Sequence, residues 1–352
     1  MNSIYFLDEL LWRWNQNRLV VGTRRRRTTA NLSFEQETAR NQWLSMLRLG
    51  VVPTYQRSCP VCGHAESHLF ANEDRYGLSI QMVICKNCPT MYNRQTPNRR
   101  GLSRFYEEIY RRLHSPQSVE SLYWEQSISS VTLWNDAAAL AKKFDLRIQQ
   151  VLDVGSGSGG LLEEFKVHGV VTHLLDPNSK HLTFAASRGH LTHAGLLEDS
   201  EFSEAFDIVI ARDVLEHALN PRDFIATIHR ALRVNGIAYV QVPVVDGLAE
   251  LGYRDSFRRY LQYAHLTNFT TESLRFMICS MGFEVISTPR VGALWLRKLS
   301  VAPTPDALLA TSNLALLQAI RRTYRRQILS EAKFQVIRYV VAPIRKRLAM
   351  AK

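Results

Sequence analysis

The chain has 352 residues, 46% of them hydrophobic and 22% charged, with a formal net charge of +12. That is ordinary globular composition, and it excludes a disordered or collagenous chain. Five cysteines are too few for a disulfide-stapled secreted scaffold. No run of roughly eighteen apolar residues is present to span a bilayer. Asp8 and Glu9 interrupt what would have to be the apolar core of a signal peptide, so a reducing cytoplasm is the expected setting. Residues 1–58 hold nine Lys and Arg against four Asp and Glu, and residues 301–352 hold ten against two; residues 59–300 are close to neutral. A protein that reads nucleic acid on its main body usually carries its basic surface there, so an RNA or DNA partner is disfavoured without being excluded.

In chain order, residues 1–22 can form a short amphipathic helix on Ile4, Leu7, Leu11 and Trp14. The run Arg24–Arg27 then reads as a solvated linker in preference to an anionic-surface contact. A helix is expected from about Phe34 to Leu49, which closes a basic N-terminal extension over 1–54. Residues 55–95 form a compact cysteine-bearing segment and 96–135 a helical connector. From 136 to 300 short apolar runs (VLDV, VTHLLD, FDIVIA, IAYVQVP, FEVIST) alternate with helical stretches. That alternation predicts an α/β domain with a parallel sheet between helices. Residues 301–352 read as a basic amphipathic tail, with Leu316, Ile320, Tyr324 and Ile328 on one stripe and Arg321, Arg322, Arg325 and Arg326 beside it. Contact with an anionic membrane surface and docking on the body of the protein are equally open for this tail.

Two C-x-x-C knuckles, Cys59/Cys62 and Cys85/Cys88, are separated by twenty-two residues. Four thiolates at such spacing suit the corners of a closed tetrahedral zinc site, and the hairpin between them is too small to hold a core unaided. Disulfides are disfavoured by a reducing compartment, and a redox C-x-x-C needs one motif rather than two. With every ligand supplied by protein, this zinc is expected to be structural. His64 and His68 are expected on the surface, and Cys279 as a buried core thiol.

The segment VLDVGSGSGG at 151–160 is a buried strand running into a glycine turn. Gly155, Gly157 and Gly159 let backbone approach a ligand closely. The spacing Gly155-x-Gly157-x-x-Gly160 also satisfies the dinucleotide fingerprint, and Asp176 at the end of the next strand could accept hydrogen bonds from a ribose diol. To this point a nicotinamide dinucleotide and an adenosyl ligand are equally supported. Asp153, an acid two residues before the first glycine, favours a ligand bearing an amino group and a sulfonium over one bearing phosphates.

Together with FDIVIARDVLEH (206–217) and LRVNG (232–236), these motifs resemble the class I S-adenosylmethionine-dependent methyltransferases over about residues 130–295. That family carries D-x-G-x-G-x-G, an acid ending strand two, F-D-x-V-x-x-x-x-V-L-E-H and L-(K/R)-P-G-G in the same order. Here Val234-Asn235 replaces the usual Pro-Gly, and Asn tolerates a left-handed turn. The resemblance implies a Rossmann-like, doubly wound methyltransferase sheet binding S-adenosylmethionine through Asp153, Gly155, Gly157, Gly159 and Asp176. Arg212 and Asp213 would line the cavity beside the donor's amino-acid end. The cysteine ribbon ahead of this domain is similar to bacterial sugar C-methyltransferases and polysaccharide-biosynthesis methyltransferases, although Pro89-Thr90 stands where that group has Gly-Leu. This implies a sugar, nucleotide-linked or lipid-linked acceptor.

Methyl transfer needs donor and nucleophile held in line, and a base if the nucleophile is a hydroxyl or a carbon acid. Histidine is the natural base near neutral pH. His217, in VLEH, is divided evenly between shaping the site and catalysis. His265, in YAHLTNFT, follows the VQVP strand, where sugar C-methyltransferases carry Glu-His; here Ala264 precedes it, which leaves O-methylation open. The bland alternative for His265 is a loop cap ahead of a helix near Thr270. Neither an N/D-P-P-Y/F motif nor a Pro-Cys follows the fourth strand, which lowers the odds of a nucleic-acid base as acceptor. An RNA methyltransferase and a non-catalytic adaptor with a methyltransferase-like fold remain the rivals.

Overall fold

A computed structural model of the chain describes residues 32–114, 118–248, 250–253 and 257–299. The expected N-terminal helix, the Arg24–Arg27 run and the basic tail lie outside the described residues. The first helix runs Phe34–Arg48. Ser33 caps it in a reciprocal box with Gln36, and Ala39 and Trp43 are its buried face.

Five short strands follow, β1 (Thr54–Gln56), β2 (Ser67–Glu73), β3 (Ser79–Cys85), β4 (Met91–Asn93) and β5 (Gln95–Pro97). Strands β2, β3 and β4 form an antiparallel meander, while β1 pairs with β5. The meander recruits a fourth strand from far along the chain, β11 (Thr267–Asn268), which pairs with β4 through Thr267–Tyr92 and Asn268–Met91. The connector is three helical pieces (Arg99–Phe105, Tyr106–Tyr110 and Arg111–His114), then helices Val119–Ile128 and Ser130–Lys143.

The main sheet has seven strands in the order β12-β13-β10-β9-β6-β7-β8. These are β6 (Gln150–Val154), β7 (Val171–Asp176), β8 (Leu191–Ala194), β9 (Phe206–Arg212), β10 (Leu232–Gln241), β12 (Phe283–Arg290) and β13 (Ala293–Lys298). Strands β6 to β10 pair parallel, and β13 is inserted antiparallel between β10 and β12. This is the expected Rossmann-like α/β sheet. Strand alternation sends Val151, Ile208, Ile210 and Ile237 to one face, against Leu133, Leu161 and Phe165. Leu152, Val154, Val209 and Val240 go to the other, against Phe224, Ile228, Leu274 and Met277. Cys59, Val61, Val83, Cys85, Cys88 and Tyr92 belong to that second cluster, so the cysteine segment shares a core with the sheet. The chain order reverses between β6 and β9, the place where open α/β sheets leave a crevice at their carboxyl ends.

One expectation at the residue level needs correcting, and the bland alternative for His265 falls away. Cys279 is half-buried rather than a core thiol, because its helix Thr271–Ser280 turns Leu274, Met277 and Ile278 inward. The cap of that helix is Thr270, paired with Ser273 in a capping box, so His265 plays no capping part. Asn235 does take the left-handed conformation, with φ 64°, in the turn where Pro-Gly is usual. Among the described residues no helix is long and apolar enough to cross a membrane.

The acid of F-D-x-V is structural. Asp207 is buried, accepts from the Gln149 and Gln150 amides at 2.8 Å each, and pairs with Arg233 at 2.7 Å. It thereby satisfies the backbone where β6 begins. Asp207→Ala should cost about 3 kcal/mol in urea unfolding, because the two amides lose their partner, and should leave ligand binding unchanged in whatever fraction remains folded.

Candidate active site

The turn after β6 takes positive φ at Gly155 (66°), Gly157 (55°) and Gly159 (86°), which only glycine adopts without strain. Space is as restrictive as conformation. A Cβ at Gly160 would stand 2.0 Å from the Tyr123 carbonyl oxygen, so helix Val119–Ile128 lies directly on the loop. Gln126 Nε2 donates to Ser156 O at 3.0 Å and Ser158 Oγ to Val119 O at 2.8 Å, fastening the two together. The sequence placed this helix in the connector but gave no sign of its contact with the turn, since it carries no motif, only ordinary helical composition.

Asp176 ends β7 and accepts from the amides of Gly157 (2.9 Å) and Asn178 (2.8 Å), so the ribose-binding candidate also shapes the glycine turn. Burial pushes its pKa up. Asp153 is buried more deeply, and its Oδ2 has no protein partner. Burial lifts its pKa to about 7, against an opposing pull from Arg212. An orphaned carboxylate oxygen beside a glycine cradle fits a cationic ligand.

Arg212 and Asp213, at the carboxyl end of β9, line a cleft of about 400 Å³ with Leu122, Glu125, Gln126 and Ser129. Asp213 holds a positive φ of 57° because its amide donates to Gln241 O at 2.8 Å, and Gln241 Nε2 reaches its carboxylate at 3.2 Å. Solvent reaches this side chain, but protein atoms crowd it enough to raise its pKa.

Three residues on lies a second constellation, buried at Glu216 and His265 and half-buried at His217. Glu216 is 1% exposed, and its Oε1 stands 3.9 Å from Nε2 of both His217 and His265. The two imidazole rings meet edge to face, with centroids 5.0 Å apart. His217 Nδ1 lies 2.9 Å from the Ala264 carbonyl, which can only accept, so Nδ1 carries the proton and Nε2 the lone pair of the neutral ring. Tyr106 Oη is 3.1 Å from the same Nδ1. Burial lowers the His217 pKa to about 4 and that of His265 well below its usual value. Burial, then the Asp213 charge, raises Glu216 well above the carboxylate range. Sequence reading found both histidines but not Glu216, although it stands in VLEH. His265 thus faces an acid from the other loop rather than from the preceding position, Ala264.

The four cysteines form a separate group. Cys59 and Cys88 sulfurs are 3.5 Å apart, Cys62 and Cys85 3.6 Å, and all four sulfurs lie within 4.8 Å of one another. The edge of a tetrahedron with metal–sulfur bonds of about 2.3 Å is about 3.8 Å. The amides of Asn87 and Cys88 point at Cys85 Sγ, at 3.4 and 3.5 Å. These sulfurs therefore fit a closed four-thiolate metal site. His64 is exposed and His68 half-buried.

A family described as "Methyltransferase domain" matches residues 101–288, more than half of the chain. The chain belongs to the methyltransferase family. Similar curated proteins include a ubiquinone biosynthesis O-methyltransferase of Bradyrhizobium sp., 30% identical over 97 residues, which are 26% of this chain and 38% of that protein. A mitochondrial protein of the same description from Schizosaccharomyces pombe is 28% identical over 25% of this chain and 35% of its own length. The chain thus spans about two fifths of the length of the curated relatives it matches. A solved S-adenosylmethionine-dependent methyltransferase from Methanosarcina mazei is similar at a TM-score of 0.37 and 16% identity, covering 44% of this chain and 94% of that one. One from Mesorhizobium loti has a TM-score of 0.37 at 13% identity, over 46% and 96%.

Because the free Asp153 carboxyl is raised to about 7, it is largely protonated below that pH and must lose its proton to meet a cationic donor. Donor affinity should therefore rise with pH up to about 7 and level off above, with a slope approaching roughly tenfold per unit on the acid side. Calorimetry with S-adenosylmethionine across that range checks it, and Asp153→Asn should remove most of the slope.

Proposed function

We propose that this methyltransferase transfers a methyl group to a hydroxyl of a ring-bearing small molecule or glycan, with His265 taking the hydroxyl proton. The observation that carries this is the buried triangle in which Glu216 faces both histidine Nε2 atoms at 3.9 Å. Bound S-adenosylmethionine supplies an electrophilic methyl group on a sulfonium. Asp153 and Asp213 would neutralise its charge, Asp176 would hold its ribose and the glycine turn would cradle its backbone-facing side. The protein then has to orient the nucleophile and accept one proton.

His265 Nδ1 and Glu216 Oε2 are buried without a protein partner, and an acceptor hydroxyl suits either. Low pKa values keep both imidazoles neutral at pH 7 with a lone pair available. An imidazole weakened by burial favours a hydroxyl, whose proton leaves as the methyl arrives, over an unactivated carbon acid. Tyr106 and Tyr110 meet His217 edge to face and the buried Tyr260 meets His265, so the pair sits among aromatic rings that suit a flat or sugar acceptor. Relatives named as O-methyltransferases support the hydroxyl reading. No feature of the described residues favours RNA or a non-catalytic adaptor.

A labelled-methyl screen over phenols, nucleotide sugars, glycolipids and RNA tests the acceptor, and transfer to RNA alone would sink the proposal. Once an acceptor is in hand, His265→Ala should lower kcat by about a hundredfold or more with donor affinity within about twofold; unchanged turnover removes His265 as the base. Asp176→Ala should instead weaken donor binding.

The cysteine set we assign to a structural zinc ion. Metal analysis of the purified chain should find about one zinc per chain. Cys85→Ser should lose it and melt at lower temperature. Purified, folded protein without bound metal would overturn the assignment.

A further inference from the structure

We infer that Arg57 is a positioning residue that locks both histidine loops onto the cysteine module. Its guanidinium donates to three backbone carbonyls from three parts of the chain. Nε reaches Asn93 O at 3.0 Å, Nη1 reaches Leu219 O at 2.9 Å, and Nη2 reaches Leu266 O. Leu219 lies two residues beyond His217, and Leu266 directly follows His265. Asn93 belongs to β4, the strand that pairs with β11. The Asn93 amide also donates to Leu266 O at 2.9 Å, so that carbonyl is held from two sides. The Arg57 amide donates to Arg94 O at 3.0 Å, which roots the side chain in the module.

The acceptors are all carbonyls, an arrangement that uses the planar fork of arginine for geometry rather than for an ion pair. Lysine has the charge but cannot satisfy three carbonyls spread around one plane. The bond from His217 Nδ1 to Ala264 O joins the two loops directly, and Arg57 fixes the far side of each. Arg222 is the natural control. Its guanidinium also ties the module to the sheet domain, donating to Val61 O at 3.1 Å and Ser280 Oγ at 3.4 Å, whereas only its backbone amide, which a substitution keeps, bonds to the His217 side, at Asn220 Oδ1. The effect of Arg57 on turnover rests on the proposed role of the histidines; its effect on their loops does not.

The test uses the full chain labelled with nitrogen-15 histidine, with the ring signals of His217 and His265 assigned from His→Gln variants and followed against pH. In the unaltered protein the His217 ring should titrate near 4 and the His265 ring should stay neutral well below the usual imidazole range, as burial requires. In Arg57→Met the loops relax, and the His265 ring should titrate at least about one unit higher. Donor affinity by calorimetry should stay within about twofold, and kcat on an identified acceptor should fall about tenfold or more. Arg57→Lys should shift the rings in the same direction, and it decides the matter if Arg57→Met does not fold. Arg222→Met should leave the rings as they were. Wild-type ring titration in a folded Arg57 variant overturns the inference. So does an Arg222→Met variant that moves the rings equally, since the link would then be general docking. If the rings move but turnover does not, the positioning stands and the histidines' role as base fails.

Discussion

Carboxyl groups held out of water at the carboxyl ends of neighbouring strands are the constraint on which the rest of the molecule depends. Asp153, Asp176 and Glu216 end or follow β6, β7 and β9, and all three are buried. A buried carboxylate is costly unless something offsets its charge. Asp176 finds two backbone amides, whereas Asp153 and Glu216 each keep an oxygen without a protein partner. That difference separates a group that builds the site from groups poised to meet what enters it. It follows from the reversal of strand order between β6 and β9, which opens the sheet at the point where the acids gather.

The cysteine module is part of this arrangement rather than an appendage. Its meander is completed by β11, a strand only two residues past His265. Its cysteines pack in the same apolar cluster as Phe224, Leu274 and Met277. A structural metal there would stiffen the strand that pairs with β11 and so the loop that carries His265. Distance along the chain hides this connection, since Cys88 and His265 are far apart in sequence. Small modules of this kind gain little stability from their own core, and sharing one with the sheet domain resolves that shortage.

The turn after β6 was legible in the sequence. The glycine spacing, the acid at 153 and the acid at 176 are local signals, because a tight turn with positive φ at three positions restricts residue type whatever surrounds it. The sheet was legible for the same reason, since strands buried on both faces must be apolar throughout. Less accessible was the cover over the glycine turn. Helix Val119–Ile128 is identified only by its contact, through Gln126 and the Tyr123 carbonyl, and helical residues of that kind look alike on paper. Glu216 was overlooked because an acid beside a histidine is unremarkable until a second histidine is seen across from it.

By itself the sequence determined the residue types that backbone conformation and burial restrict most narrowly: glycines in the turn after β6, and apolar strands alternating with helices. Only the tertiary structure decided which distant loops meet. It placed Glu216 between His217 and His265, moved β11 into the cysteine module and ran Arg57 across three carbonyls. The physical reason is that local restrictions act through φ and side-chain chemistry within a few residues. Burial, desolvation and hydrogen-bond partnership are instead properties of whatever the fold brings within about 4 Å.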